Sequence, residues 1–179
     1  DTVVYTLAGI AGPAGWGIGG DTFTVMDHLA SLGIDTSFRL GDRDLSTCLL
    51  RSQWLSSGGT LSSATAAIRA GLGVDTNVLP ATDDTIRTRI RTTRGSWLSF
   101  QEYFVGRGHR DDVAEIEYAG AEHAEPAPGV IEAIEAASIV VIAPSNPPLS
   151  IRPILEIRAI EDALAAHPNH TDRRVRSMS

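Results

Sequence analysis

Hydrophobic and polar positions follow two different rhythms along this chain of 179 residues. In several stretches apolar side chains recur at the three- and four-residue spacing of amphipathic helices, and glycine closes most of these stretches. Asp1 and Asp21 stand just before the first two of them, where a carboxylate can accept hydrogen bonds from free backbone N–H groups. The predicted helices cover residues 2–8, 22–32, 45–55, 61–70, 130–136 and 154–166.

A two-residue rhythm replaces the helical one in the middle of the chain. Between residues 85 and 92, Ile and Thr alternate with Arg, which predicts a half-buried strand, and residues 113–118 alternate again. Residues 97–105 are predicted as an aromatic strand or a short helix. We interpret 85–118 as a small antiparallel insertion. Its arginines form either the polar face of a strand or, as the alternative, a basic rim near an anionic substrate: Arg87, Arg89, Arg91 and Arg94.

Three further strands are predicted over residues 36–40, 74–79 and 138–143. The last of these is a continuous β-branched run without a polar face, which is typical of a strand buried on both sides in a parallel sheet. Because helices and strands alternate outside the insertion, the predicted fold class is α/β with a mostly parallel sheet covered by helices. Residues 1–166 are predicted to form a single domain, and the polar, basic residues 167–179 a disordered tail.

Composition narrows the classes of function. The net charge is −7, and all 15 basic residues are arginine. Such an acidic chain is a poor candidate for binding nucleic acid, whose affinity comes mostly from phosphate neutralisation. A membrane protein is not expected either, since the longest apolar run, residues 136–144, is far shorter than the roughly 20 residues of a membrane-spanning helix. The single Cys48 excludes an internal disulfide, favours a cytoplasmic location and is predicted to be a small buried side chain on an apolar helix face.

Candidate chemistry lies where predicted strands end, since ligands of open α/β sheets bind at the carboxyl ends of the strands. Residues 38–44 place two carboxylates and two guanidinium groups in a turn before a helix, although simple helix capping would also explain them. Ser145 and Asn146 follow strand 138–143 in a loop that would suit a phosphate, or that is only a tight turn. Asp83 and Asp84 offer oxygen ligands for a divalent cation, or form a solvated acidic turn.

Seven short motifs occur in order along the chain. They are DTVVYTLAG at 1–9, WGI at 16–18, GDTF at 20–23, RLGDRDL at 39–45, TDD at 82–84, FQEYFV at 100–105 and PSNP at 144–147. Single motifs such as Gly-Asp-Arg-Asp are weak, but seven in register are a specific signal. Together they closely resemble the 2-phospho-L-lactate transferase (CofD-like) family over about residues 1–165. The resemblance implies a Rossmann-like α/β fold.

The resemblance implies transfer of a phospholactyl group, or of a phosphoenolpyruvyl group in actinobacterial members, from a guanosine diphosphate adduct to the deazaflavin Fo. GMP leaves, Mg²⁺ is required, and the product belongs to coenzyme F-420 biosynthesis. Asp1 and Arg39 match the deazaflavin-binding positions, with Asp1 as the catalytic candidate that orients the acceptor hydroxyl or holds the metal. Ser145 and Asn146 would lie near the guanosine diphosphate. Four side chains are predicted for the pocket wall: Asp42, Arg43, Asp83 and Asp84.

The resemblance also sets expectations for the whole protein. Family members are expected to be homodimers, and the exclusive use of arginine favours an actinobacterial, phosphoenolpyruvyl-transferring protein. Members carry a glycine-rich nucleotide loop before the equivalent of Asp1 and further elements beyond Ala165. The chain is therefore expected to lack both ends, most simply through a truncated or frameshifted gene, and to be inactive and marginally stable alone.

Two other functions compete with the transferase. The first is a non-catalytic regulator of the related gluconeogenesis-factor type, which binds a nucleotide sugar and ignores Fo. The second is a plain Rossmann-like binding or assembly module. The block 100–104 and the pair Asp1 and Thr2 favour the transferase over the regulator. The plain module differs in predicting no affinity for a guanine nucleotide and no effect of Mg²⁺.

Overall fold

The computed structural model describes residues 1–168. It divides into two compact units, Asp1–Pro80 and a second unit that begins at Ala81; the prediction of a single domain stays a prediction. The first unit is helical, and its helices confirm the first four that the apolar spacing predicts. They are α1 (Thr2–Leu7), α2 (Thr24–Ser31), α3 (Asp42–Ser56) and α4 (Leu61–Gly71).

The core of the first unit joins its first and last helices. Val4 of α1 and Ile68 of α4 are buried together with Val74, which follows α4. The strands predicted over 36–40 and 74–79 are wrong, because neither stretch pairs with another segment in the part of the chain that the structure describes. No helix among residues 1–168 is both long and apolar enough to cross a membrane.

Two aspartates cap each other's helices at the entrances to α2 and α3. The Asp21 carboxylate accepts hydrogen bonds from the N–H groups of Arg43, at 3.0 Å, and Asp44, at 3.1 Å, in the first turn of α3. Asp42, the first residue of α3, accepts from the first two N–H groups of α2, at 3.0 and 3.1 Å. We call this arrangement the crossed caps. The prediction that Asp21 caps α2 is therefore wrong. The side chain that caps α2 is that of Asp42, 21 residues after Asp21.

Gly41 lies against the crossed caps, and its substitution tests how tightly they fit. A Cβ atom there would overlap the Asp21 carboxylate, although φ of −66° would itself permit alanine. Gly41→Ala is expected to lower the free energy of unfolding by about 1–3 kcal/mol, the usual range for overpacking. Gly71→Ala is the matched control, because nothing lies within 4 Å of its Cβ position and it closes α4. Urea unfolding of both variants measures the difference, and equal stability would contradict the tight fit.

The second unit combines a small sheet with short helices. Strands β1 (Arg87–Thr92), β2 (Trp97–Ser99) and β3 (Val113–Ala119) form an antiparallel sheet in the order β2-β1-β3. This confirms the antiparallel insertion. Helices α5 (Val130–Ala136), α6 (Arg152–Leu155) and α7 (Arg158–Ala166) follow, with short helical turns at Glu102–Gly106, Ala121–His123 and Pro147–Ile151. The helix predicted over 154–166 is thus interrupted before Arg158.

The two faces of the sheet differ as the alternation predicts. Ile90 is completely buried and packs with Leu98 and Tyr103 on the inner face. On the outer face Arg89 pairs with Glu117 at 3.0 Å and Arg91 with Glu115 at 2.6 Å. These arginines form the polar face of the strand, the first of the two interpretations. Because such exposed pairs contribute at most about 1 kcal/mol each, the inner face holds the sheet together.

The strand predicted over residues 138–143 is absent as a paired strand, which corrects the sequence prediction. Within the described part of the chain no backbone hydrogen bond joins residues 139–143 to a neighbour. A strand exists only beside a partner strand, and residues 1–168 place none there.

The last described residues of the second unit are anchored at His167. This residue is buried, and its Nε2 atom lies 2.8 Å from the carbonyl oxygen of Ala137. His167 therefore belongs to the folded part rather than to the predicted tail. The remainder of that tail prediction, residues 169–179, lies outside the described residues.

Candidate functional site: a carboxylate cluster beside a glycine-rich loop

Helices α1 and α3 bring five polar side chains of the first unit together. Asp1 and Tyr5 are four residues apart at the start of α1, while Asp44, Cys48 and Arg51 follow the i, i+4, i+7 spacing of one face of α3. One ligand atom from each of Asp1, Asp44 and Cys48 lies within 4.8 Å of the others. We call these three residues the carboxylate cluster. Cys48 is half-buried among carboxylates, so the prediction of a buried thiol on an apolar face is wrong.

Each carboxylate of the cluster has a fixed partner. The Arg51 guanidinium donates a hydrogen bond to Asp1 Oδ1 and forms an ion pair with it. The Asp1 side chain therefore faces α3 and does not cap α1, contrary to the prediction. The buried Tyr5 hydroxyl donates to Asp44 Oδ1 at 2.8 Å. Burial, reinforced by the neighbouring carboxylate of Asp44, raises the pKa of Tyr5 to about 12. Tyr5 is consequently a hydrogen-bond donor at neutral pH.

A small open cavity of about 140 Å³ lies beside the cluster, between the glycine-rich loop and the start of α3. Asp44 lines this cavity as well as belonging to the cluster, so it joins the two. Arg43 holds the loop in place, since its Nη2 atom donates to the carbonyl oxygen of Gly19 at 2.6 Å. The rest of the lining includes Trp16, Phe23 and Asp21.

Arg39, the predicted deazaflavin-binding residue, lies next to one wall of this cavity. Its guanidinium carbon is 4.8 Å from the ring centroid of Phe23, and Phe23 lines the cavity. Its Nη2 atom donates to Asp27 Oδ1 at 2.6 Å. The aromatic ring and the carboxylate together fix the arginine in an exposed position, where its remaining N–H groups are available to a ligand.

The two charged residues that begin α3 have structural roles in the same region. Asp42 belongs to the crossed caps, and hydrogen bonds from the Thr22 hydroxyl and then from the Val25 N–H lower the pKa of its carboxyl. Arg43 fixes the loop. The cavity lining includes Gly41 and Asp44 but neither Asp42 nor Arg43. Their predicted place in the pocket wall stays a prediction.

Sequence reasoning placed Asp44 in the candidate turn 38–44 but assigned it no role in the site, and it gave no site role to Tyr5, Arg51 or Cys48. The spacing of Asp44, Cys48 and Arg51 was visible in the sequence as one face of a helix. The sequence did not show which helix packs against this face. The contact between α1 and α3 joins residues about 40 to 50 positions apart, as in the hydrogen bond from Tyr5 to Asp44.

The other predicted site residues belong to the second unit. Asn146 Oδ1 accepts from the Leu149 N–H at 3.1 Å and so begins the helical turn Pro147–Ile151, while Ser145 is exposed. Asp84 Oδ2 accepts from the Glu125 N–H at 2.9 Å, and Asp83 is half-buried. Both contacts are structural: that of Asn146 is local, whereas that of Asp84 joins segments 41 residues apart. The ligand-binding roles of these residues stay predictions.

A larger open groove of about 750 Å³ runs along the antiparallel sheet of the second unit. Phe100, Gln101 and Glu102, which begin the motif at 100–105, contribute to its lining together with Arg87 and Trp97. The motif also supplies the buried Tyr103 to the inner face of the sheet. Its residues thus serve packing and line a surface groove.

The chemistry of the carboxylate cluster fits Mg²⁺. This cation prefers hard oxygen ligands and is commonly held by one or two carboxylates together with substrate phosphates. Asp1 and Asp44 offer such oxygens within 4.8 Å of each other. The Cys48 sulfur is a soft ligand that suits Mg²⁺ poorly, so we assign it no part in holding the cation.

Solved structures define the fold. Two crystal structures of one protein from Bacillus halodurans, described in one of them as a member of the UPF0052 family, resemble this chain. In one comparison the TM-score is 0.60 at 18% identity, covering 93% of this chain and 49% of the other. In the second comparison the TM-score is 0.55 at 21% identity, covering 67% and 38%. At these identities the likeness shows the fold alone, which is consistent with the α/β, Rossmann-like class that the sequence predicts. Within residues 1–168 the paired strands form the small antiparallel sheet, and the predicted parallel sheet is not seen there.

Sequence comparison defines the family. The sequence profile described as "2-phospho-L-lactate transferase CofD" matches residues 1–171. The chain is 41% identical over 170 residues to a phosphoenolpyruvate transferase of Streptomyces griseus, and 37% identical over 165 residues to a 2-phospho-L-lactate transferase of Methanosarcina acetivorans. Each match covers 92% of this chain and 54% or 53% of the relative. The chain belongs to the CofD family and spans about half the length of the curated relatives that it matches.

Proposed function

We propose that the protein belongs to a transferase that moves a phospholactyl or phosphoenolpyruvyl group from a guanosine diphosphate adduct to the deazaflavin Fo, in coenzyme F-420 biosynthesis. Membership of the CofD family and the names of the relatives support this proposal. The structural observation that carries it is the pair of fixed carboxylates, Asp1 and Asp44, beside the cavity of the glycine-rich loop.

In the proposed reaction a ribityl hydroxyl of Fo attacks a phosphorus of the pyrophosphate linkage. A new P–O bond forms to Fo, the bond to the GMP oxygen breaks, and the hydroxyl proton is released. Such a transfer needs positioning and charge stabilisation more than a covalent intermediate. Asp1, fixed by Arg51, is suited to accept a hydrogen bond from the attacking hydroxyl. Asp44 is held in one orientation by Tyr5.

The proposed cofactor is Mg²⁺, with Asp1 and Asp44 as the residues that would hold it. When bound, the cation would neutralise negative charge on the phosphate oxygens. Asp1 thus has two proposed roles, orienting the hydroxyl and holding the metal, and the Mg²⁺ dependence of an Asp1→Asn variant separates them. Ser145 and Asn146 are proposed for the guanosine diphosphate. A cytoplasmic homodimer is proposed from the family resemblance, and the name of the Streptomyces relative favours the phosphoenolpyruvyl donor.

Binding of Fo, followed by its fluorescence, tests the proposal. The proteins are the 179-residue chain and a chimera in which the remaining segments of the Streptomyces griseus relative complete it. Arg39→Ala is expected to weaken Fo binding at least about tenfold, since it removes a guanidinium held at the cavity wall, and tenfold corresponds to about 1.4 kcal/mol. Arg158→Ala is the matched control, because this arginine is almost fully exposed in a weak 3.8 Å ion pair.

Two results would count against the transferase. If the chimera binds a guanine or sugar nucleotide but not Fo, the regulator replaces it. If neither ligand binds, a plain binding or assembly module remains. The 179-residue chain alone is expected to show no turnover, and robust transfer by it would contradict that expectation.

A further inference from the structure

The groove along the antiparallel sheet opens where β2 ends. Ser99, the last residue of β2, stands opposite Arg89. The beginning of β1 therefore has no strand beside it on that side in the described part of the chain. The groove of about 750 Å³ is lined by residues of both strands and of the segment that follows β2. Its volume falls within the range of roughly 300–1,000 Å³ that is usual for small-molecule sites, so it has the size for a ligand such as a mononucleotide.

Apolar and aromatic side chains make up much of the lining of this groove. Ile86 and Phe100 are half-buried, and Leu149 contributes from the helical turn Pro147–Ile151. The Trp97 side chain lines the groove as well and is 39% exposed. An accessible aromatic ring favours contact with another flat ring, because stacking removes apolar surface of both from water. The lining therefore suits a planar aromatic ligand.

One guanidinium of the groove has no carboxylate partner. On the outer face of the sheet Arg89 and Arg91 each stand opposite a glutamate of β3 and form an ion pair with it. Arg87 continues this alternation and lines the groove, but Ala119 stands opposite it. In the described part of the chain its guanidinium makes a single long hydrogen bond, from Nη1 to the carbonyl oxygen of Ile86 at 3.4 Å. Arg87 is therefore a cation whose N–H groups remain available to an anionic ligand.

The charge of the groove is opposite in sign to that of the chain. Its lining carries two guanidinium groups, of Arg87 and Arg89, and one carboxylate, of Glu102, on a chain of net charge −7. The Glu102 carboxylate is held by the Ser99 N–H, which donates to it at 2.7 Å. Gln101 adds an exposed amide that can donate to a ligand oxygen. A phosphate monoester suits this lining, because it brings nearly two negative charges at pH 7 and the guanidinium fork matches its oxygens.

We propose that this groove is a binding site for the phosphate monoester of a planar aromatic molecule. The ring would lie against Trp97 and Phe100, and the phosphate would accept hydrogen bonds from Arg87. Guanine nucleotides and phosphorylated flavin-type molecules share this chemistry. The site goes beyond the proposed transfer reaction, because none of the residues proposed for that reaction lines the groove.

Calorimetric titration with 1-naphthyl phosphate tests this proposal on the 179-residue chain and on the chimera. The expected dissociation constant is on the order of 100 µM, which is usual for so small a ligand. Two control ligands separate the parts of the probe. 1-Naphthol lacks the phosphate and inorganic phosphate lacks the ring, so each is expected to bind at least about tenfold more weakly. Equal affinity for 1-naphthol and 1-naphthyl phosphate would overturn the proposal.

Arg87→Gln provides the decisive variant. It is expected to weaken binding of 1-naphthyl phosphate at least about tenfold and to leave that of 1-naphthol within about twofold, because it removes only the charge. Arg94→Gln is the matched control, since Arg94 is an exposed arginine of the turn between β1 and β2 that does not line the groove. Its affinity is expected to stay within about twofold. Trp97→Ala is expected to weaken both aromatic probes about tenfold. Amide hydrogen exchange at Ile90 checks that the sheet remains folded in each variant.

Competition with the probe identifies the source of the ligand. Displacement by GMP supports a guanine nucleotide, and displacement by flavin mononucleotide supports a phosphorylated flavin-type molecule. If neither displaces the probe, the proposal is overturned. Unchanged affinity of Arg87→Gln, or an equal loss in Arg94→Gln, overturns it as well, and so does binding by the 179-residue chain that the chimera does not show. None of these readouts requires turnover, so a failure of the transferase proposal leaves them unaffected.

Discussion

Ile90→Ala is expected to lower the free energy of unfolding of the second unit by about 3–4 kcal/mol. Ile90 is completely buried at the centre of the three-stranded sheet, where it packs with Leu98 and Tyr103. Truncation of a buried Ile to Ala typically costs about 2–5 kcal/mol, and the high end applies where the surroundings cannot collapse. In a domain stabilised by about 5–15 kcal/mol this is a large share.

Urea unfolding, monitored by amide hydrogen exchange in the second unit, measures this loss of unfolding free energy. The control is Val113→Ala on the edge strand β3, where the side chain is 41% exposed and less than about 1 kcal/mol is expected. Similar losses at the two positions would show that the inner face of the sheet is not the core of this unit. A selective loss at Ile90 would confirm it.

Asp21→Ala is expected to cost the first unit about 2–3 kcal/mol. The Asp21 side chain is only 5% exposed and accepts hydrogen bonds from three backbone N–H groups, those of Thr22, Arg43 and Asp44. Loss of a helix cap typically costs about 1–2 kcal/mol, and hydrogen bonds to a charged group contribute about 1.5–3 kcal/mol. The matched control is Asp75→Ala, an exposed aspartate for which little change is expected.

The same carboxylate predicts a pH dependence. Burial alone would raise the pKa of Asp21, but the backbone N–H groups of Arg43, Asp44 and Thr22, followed by the Arg43 guanidinium, lower it overall. Because the pKa is lower in the folded state, this stabilisation is complete above the unfolded value of about 3.9 and is lost as the pH falls through the folded value. The difference in unfolding free energy between wild type and Asp21→Ala should therefore be constant near pH 7 and shrink below about pH 4. A difference that grows on acidification would contradict the cap.

Local pattern predicted the elements whose stability is local. Helix α5 occupies the predicted residues 130–136, and the alternation around Ile90 correctly separated the buried from the polar face of β1. Residues 138–143 have the same β-branched character, yet they form no paired strand in the described part of the chain. The difference is that a strand depends on neighbours distant in sequence, and composition says nothing about where those neighbours are.

The candidate site shows the same limit of sequence prediction, because its contacts join residues that are distant in sequence. Arg39, Asp42 and Arg43 were predicted as site residues because they lie in one short motif. The structure places all three within the first unit, and their ligand-binding roles stay predictions. The sequence analysis assigned Asp21 to the start of α2, because Asp21 lies directly before that helix. In the structure its side chain instead caps α3, the following helix. Likewise, Asp44 could be read as a cap from its position, whereas its contact with Tyr5 depends on how α1 packs beside α3.

The crossed caps have a consequence for local opening. If the first turn of α2 frays, Asp42 loses the hydrogen bonds that it accepts from that turn. If the first turn of α3 frays, Asp21 loses the hydrogen bonds that it accepts from the N–H groups there. Each event therefore weakens the other entrance, although the two turns are separate in sequence. The amides in the first turns of α2 and α3 should exchange with solvent as a single cooperative unit, with one opening free energy for both. The loop between them, which carries Arg39, would then be ordered or released together with both helix entrances.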